Sequence, residues 1–215
     1  MERTDMDEDY YAYIKMEFSK LAPVYDVVDI FLSGVRRKVA DLADMENNSR
    51  ILDVATGTGK QAFAFAKIGH EVVGIDMSED MLNVAKKKNG HANVNFLAAD
   101  AARMPFEDSR FDASCISLAL HEMPLNIREK VLSEMARVTK PKGKILIADY
   151  ALPKSNAFGR LVCRIVKSYE TAYYPEFITS DLEGLLEKSG IRIERALPIL
   201  FGAGMVLKGT NKKIK

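Results

Sequence analysis

Apolar and polar positions follow two rhythms along the chain. Between residues 7 and 45, Tyr10, Tyr11, Ile14, Phe18 and Leu21 recur at the spacing of one helix face. Pro23 breaks that helix, Val24 to Leu32 can start another, and Ser33-Gly34 punctuates before a third from Val35 to Met45. From Arg50 onward, short solid apolar runs alternate with helical patterns. Strands are predicted over 51–54, 71–75, 94–97, 111–118 and 144–148, and helices over 61–68, 79–88 and 127–139. Ser78 is placed to N-cap the second of these helices and Asn89-Gly90 to close it. Past Asp149 the rhythm loosens. Residues 158–169 and 180–188 read as helices, the latter N-capped by Ser180, and 191–195 and 203–208 read as two final strands. The alternation predicts an α/β fold: a doubly wound, mostly parallel seven-stranded sheet with an antiparallel last strand and N-terminal cover helices. Residues 1–48 are expected as a helical cover and 49–150 as a ligand-binding core. Residues 151–215 are expected to add cover helices and the last two strands of the same domain.

Composition narrows this picture. The chain has 215 residues, 31 Lys plus Arg against 30 Asp plus Glu, and a net charge of +1. That balance removes the general electrostatic case for nucleic-acid binding. Cys115 and Cys163 are too few for a disulfide scaffold and lack CxxC spacing, so a cytoplasmic setting is the expectation. The acidic start is unlike a secretory signal, and the uncharged stretch 196–207 falls short of the roughly 20 residues that span a bilayer. There are eight Tyr and no Trp, and the Tyr flank the predicted core at positions 10, 11, 13, 25, 150, 169, 173 and 174. Tyr joins apolar area to a polar tip, which suits an aromatic or amphipathic small-molecule guest as well as a half-exposed cover helix.

Chemistry concentrates at strand ends. Asp53-Val-Ala55-Thr56-Gly57-Thr58-Gly59-Lys60 leaves a strand and opens a helix, where glycines admit a ligand to the backbone and the helix offers unpaired N–H groups. Asp76, followed by Met77, ends the next strand, where a carboxylate can accept both hydroxyls of a ribose. Gly57-Thr58-Gly59-Lys60-Gln61-Ala62 also fits the loose dinucleotide pattern, so an NAD-dependent oxidoreductase stays open at this point. Two carboxylates argue the other way. Asp53 would repel a pyrophosphate and attract a cation, and Asp100 ends the third strand, within reach of an adenine amine. Three acidic positions without a phosphate clamp suit S-adenosyl-L-methionine, which carries a sulfonium, an ammonium, a ribose diol and an adenine.

The segments ILDVATGTGK, VVGIDMSEDML, NFLAADAARMPFEDSRFD, CISLAL and EMARVTKPKGKILIADY together resemble the class I S-adenosylmethionine-dependent methyltransferases over residues 50–150. Phe18-Ser-Lys-Leu-Ala-Pro-Val-Tyr25-Asp26 with Leu32-Ser33-Gly34, and the glycine-bearing end Phe201–Gly209, resemble the ubiquinone/menaquinone-biosynthesis C-methyltransferase family. The resemblance implies a Rossmann-like methyltransferase fold and cofactor contacts at Thr58, Asp76, Asp100, Ala101 and Ser117. The family's Arg-Asn after the fourth strand is His121-Glu122 here, an Asn expected after Tyr25-Asp26 is Asp29, and the last strand lacks the family's His. These departures fall where the acceptor should lie.

Methyl transfer from a sulfonium is an in-line displacement that depends on positioning and needs no metal. Catalytic candidates are His121, at the end of the fourth strand, and Tyr25; Tyr150 is a further group near the acceptor. His121 is as readily a helix-entry turn with Met123-Pro124, and Leu125 occupies the second His position of a metalloprotease HExxH. His70 and His91 are expected in solvated turns, and Cys115 and Cys163 in the core. Arg160, Arg164 and Lys167 line one face of the helix over 158–169, which reads first as a cover helix and second as a peripheral membrane contact. A non-catalytic cofactor-binding module also remains open.

Overall fold

The short apolar runs become strands where turn-forming residues bound them. A computed structural model describes residues 5–21, 33–152 and 173–213. The seven strands form a mixed, mostly parallel sheet. Two compact units, Met1–Pro105 and Phe106–Lys215, divide the chain.

In the first unit, β1 (Arg50–Val54) is exposed only at Arg50 and buried at its four following positions. It pairs in parallel with β2 (Glu71–Asp76), which pairs in parallel with β3 (Val94–Ala98). Helices α1 (Asp5–Leu21) and α2 (Ser33–Ala43) precede the strands. Helix α3 (Lys60–Ala66) links β1 to β2, and α4 (Glu79–Lys88) links β2 to β3. The α4 boundaries follow the sequence reading. The Ser78 hydroxyl accepts the Met81 N–H at 3.3 Å, acidic Glu79 and Asp80 open the helix, and Lys86 to Lys88 close it, each sign matched to the helix dipole. α1 lies against α4 and buries Tyr10.

In the second unit, β4 (Phe111–Ser117) pairs in parallel with β5 (Thr139–Tyr150) through α5 (Leu125–Val138). β7 (Gly204–Asn211) runs antiparallel to both β5 and β6 (Ile191–Ile199), so the expected antiparallel last strand is present. β5 starts five residues earlier than the pattern predicts, at Thr139. Its polar first half is held by specific bonds: the Thr139 hydroxyl donates to the Met135 carbonyl at 2.7 Å, and Asn211 Nδ2 donates to the Ala136 and Thr139 carbonyls at 2.8 and 2.7 Å.

Two expectations change. Ser180 does not cap the later helix: its hydroxyl donates to the Phe177 carbonyl at 2.6 Å and closes α6 (Tyr174–Thr179). Asp181 caps α7 (Leu182–Lys188) instead, accepting the Gly184 N–H at 2.9 Å. His70 is buried at 3% exposure against Phe65 rather than solvated, and burial holds its pKa below the ordinary value. Cys115 is buried, as expected of a core thiol. Tyr25, Cys163 and the helix expected over 158–169 lie outside the described residues. Among the described residues, no helix is long and apolar enough to cross a membrane.

Candidate functional site

The loop after β1 turns sharply through three left-handed residues: Ala55 (φ 52°), Gly57 (φ 53°) and Gly59 (φ 82°). The two glycines serve different ends. Among the described residues, a Cβ at Gly57 would meet nothing within 4 Å, so they leave open space beside this stretch of backbone. A Cβ at Gly59 would lie 2.7 Å from the Phe96 ring, 3.0 Å from Phe63 and 3.1 Å from Ala85, so Gly59 is required for packing of α3 and β3.

Two carboxylates fix the loop. Asp53 Oδ2 accepts the Thr56 hydroxyl at 2.5 Å, and the Thr56 N–H reaches the Ile75 carbonyl at 2.9 Å. Asp53 is 1% exposed, and burial pushes its pKa up to about 7 against the opposing pull of the Thr56 hydrogen bond. Asp76 ends β2 and joins the loop to α4: Oδ2 accepts the Gly57 N–H at 2.8 Å and Oδ1 accepts the Ser78 N–H at 2.9 Å. Burial raises its pKa too, opposed by those backbone bonds. Asp100, beyond β3, accepts the Ala102 N–H at 2.8 Å and the Tyr11 hydroxyl at 3.2 Å, so α1 reaches the third acidic position. Thr58 is buried, and Met77 and Ala101 are half-buried.

This donor set fits S-adenosyl-L-methionine. Asp76 spends one lone pair of each oxygen on a backbone N–H, leaving acceptor capacity for a ribose diol. The open space at Gly57 admits a ligand, and the carboxylates of Asp53 and Asp76 favour cationic groups over phosphate. Bound there, the cofactor would supply a methyl group activated on a sulfonium.

The second unit gathers the other candidates. Ser117 ends β4 half-buried, its hydroxyl 3.5 Å from Cys115 Sγ. After the left-handed Leu118 (φ 53°), a 3₁₀ turn (Leu120–Glu122) carries His121. Asp149 near the end of β5 holds that turn. Its Oδ2 accepts the Leu120 N–H at 2.9 Å and the His121 N–H at 3.4 Å, and its Oδ1 lies 2.6 Å from His121 Nδ1. The imidazole is caged by rings, with centroids of Tyr150 at 4.7 Å, Phe177 at 6.2 Å and Tyr174 at 6.3 Å. Arg128 of α5 is fully buried below the turn. Its Nε donates to the Met123 carbonyl at 2.7 Å, its NH2 to Glu176 at 3.2 Å, and its guanidinium lies 5.3 Å from the Phe177 ring centre. A cavity of about 190 Å³ adjoins this cluster, its walls including Ile147, Asp149, Tyr150, Phe177, Met205 and Leu207.

Thus Asp53, Thr56, Gly57 and Asp76 come together as one bonded group, and His121 meets Tyr150. Sequence reasoning did not find Asp149, Arg128 or Phe177. A signal for Asp149 was present: it ends the apolar run ILIAD as Asp76 ends VVGID.

Comparison with known proteins agrees with this geometry. Residues 51–143 match the methyltransferase domain family. The demethylmenaquinone methyltransferase of Renibacterium salmoninarum is 40% identical over 146 residues, 66% of this chain and 60% of that protein. The demethylmenaquinone methyltransferase of Thermus thermophilus is 40% identical over 157 residues, covering 69% of this chain and 70% of that protein. The chain therefore spans about 60% of the length of the Renibacterium relative. A crystal structure of a SAM-dependent methyltransferase from Aquifex aeolicus superposes with a TM-score of 0.64 at 24% identity, covering 82% of this chain and 89% of that one, a likeness of fold. With two thirds of the Thermus relative covered at this identity, the chain belongs to the ubiquinone/menaquinone-biosynthesis C-methyltransferase family of S-adenosylmethionine-dependent enzymes.

Proposed function

We propose that this protein transfers a methyl group from S-adenosyl-L-methionine to a small hydroxylated aromatic acceptor of the quinol class, in a cytoplasmic setting. The observation that carries the reading is Asp76, whose carboxylate ties the Gly57 backbone to the start of α4 and retains lone pairs for a diol. Asp53, Ala55, Thr56, Gly57, Thr58, Gly59, Asp76, Met77, Asp100, Ala101 and Ser117 are the cofactor residues of this proposal. His121 is the proton-handling residue, with Tyr25 a further catalytic candidate. The leaving thioether is neutral, so positioning and exclusion of water account for most of the acceleration. The rings of Tyr150 and Phe177, which line the neighbouring cavity, support an aromatic guest, and the relatives' name supports a naphthoquinol.

Calorimetry tests the cofactor half: wild-type protein binds S-adenosylmethionine and S-adenosylhomocysteine, and Asp76→Ala binds them at least 10-fold more weakly. Mass spectrometry tests the other half: with a short-chain 2-prenyl-1,4-naphthoquinol, the product gains one methyl. No binding of either cofactor form by the wild type overturns the reading.

A further inference from the structure

His121 has a carboxylate at each ring nitrogen. Nδ1 faces Asp149 Oδ1 at 2.6 Å and Nε2 faces Glu122 Oε1 at 3.4 Å. When Nδ1–H donates to Asp149, Nε2 and the Glu122 oxygen present lone pairs to each other, and a proton on either one relieves that repulsion. The cluster is dry: the side chains of His121, Asp149 and Glu122 are 5%, 2% and 13% exposed. The other carboxylate oxygen, Glu122 Oε2, is buried without a hydrogen-bond partner among the described residues. A buried acceptor left unmatched is costly unless something supplies its donor. Among the described residues, the other ionisable groups facing the cluster are Tyr150 of β5, Arg128 of α5, and Tyr174 and Glu176 of α6.

We propose that Asp149, His121 and Glu122 form a proton relay whose terminal acceptor is Glu122 Oε2. The inference rests on the quinol reading above. The acceptor's O–H bond breaks, its proton passes to Oε2, and the bonding pair stays on the acceptor oxygen, enriching the ring carbon that takes the methyl group. When that carbon later releases its hydrogen to water as a proton, Glu122 returns its own proton to the oxygen. Asp149 is a positioning residue: it fixes the imidazole so that Nε2 faces Glu122 and the shared proton stabilises the glutamate's working form.

The relay has a readout that needs no turnover. With only three histidines in the chain, the His121 imidazole can be followed by ¹⁵N NMR across a pH titration. Glu122→Gln, and separately Asp149→Asn, should each lower its titration midpoint by about one unit or more, since each removes a carboxylate that stabilises the imidazolium. An unchanged midpoint in Glu122→Gln overturns the relay. With the 2-prenyl-1,4-naphthoquinol, Glu122→Gln should lower kcat by about 100-fold with KM and cofactor Kd unchanged, and abolish the acid limb of the pH–rate profile. Glu122→Asp, which keeps the carboxylate, should restore that limb in part. Wild-type kcat and pH profile in Glu122→Gln overturn Glu122 as the proton acceptor. A wild-type chain that binds cofactor but leaves the naphthoquinol unmethylated overturns the acceptor reading, and the imidazole titration then decides the relay alone.

Discussion

Gly57 and Gly59 stand two residues apart in one loop, yet substitution should separate them cleanly. Gly59→Ala combines a left-handed backbone with contacts below 3.2 Å to Phe96, Phe63 and Ala85, so it should destabilise by about 3 kcal/mol in denaturant unfolding. Gly57→Ala meets open space and should cost only the backbone strain of about 1 kcal/mol, while weakening cofactor binding. Asp53 gives a pH-dependent prediction. Its native pKa of about 7 lies above the ordinary 3.8, so between these values the native state holds a proton that the unfolded state has lost. Its contribution to stability is complete below about pH 4 and is lost as pH rises through 7. Asp53→Asn keeps an acceptor for the Thr56 hydroxyl and removes the ionisation. It should match wild type near pH 4 and exceed it at pH 8, by at most about 4 kcal/mol, in parallel urea titrations. Asp76 was legible in the sequence because an acidic residue directly ended an apolar run. The partnership of His121 with Asp149 was not, because it joins residues 28 apart through the pairing of β4 with β5 and a 3₁₀ turn.

Among the elements, α6 and the 3₁₀ turn were the least legible. Six and three residues are too few for a helical period, and both are held by one side chain from α5. Arg128 ties the carbonyl of Met123 to Glu176, so its loss releases both ends at once. Arg128→Ala should destabilise by about 3 kcal/mol, because a large fully buried side chain and its bond to a carbonyl are removed together. Glu176→Gln should cost less than about 1 kcal/mol, because that carboxylate is half exposed and screened by solvent. Equal losses in the two variants, measured by chemical denaturation, would show the ion pair rather than the buried guanidinium to be the anchor. The cap of α7 was misassigned by one residue for a related reason. Ser180 and Asp181 are both good capping residues, and only the tertiary placement of α6 decides that the serine turns back to Phe177.

For the whole molecule, the alternation of apolar runs with amphipathic segments made the mostly parallel sheet legible, and the lack of a hairpin turn between the fourth and fifth strands left antiparallel pairing to the last two. The position of β7 between β5 and β6 was not legible, since no local pattern encodes which neighbour a strand takes. A ligand that binds only the native state stabilises it by mass action, about 2.7 kcal/mol at 100 times Kd. Saturating S-adenosylhomocysteine should therefore raise the wild-type melting temperature by about 5 °C or more and leave Asp76→Ala almost unmoved in differential scanning fluorimetry. The ring cage around His121 has one more consequence. A protein without tryptophan emits through its tyrosines, and here two of the eight, Tyr150 and Tyr174, lie edge to face against one imidazole. A protonated imidazole quenches a neighbouring phenol, so the charge state of His121 is written into the protein's own ultraviolet emission, where it can be watched in real time without a label.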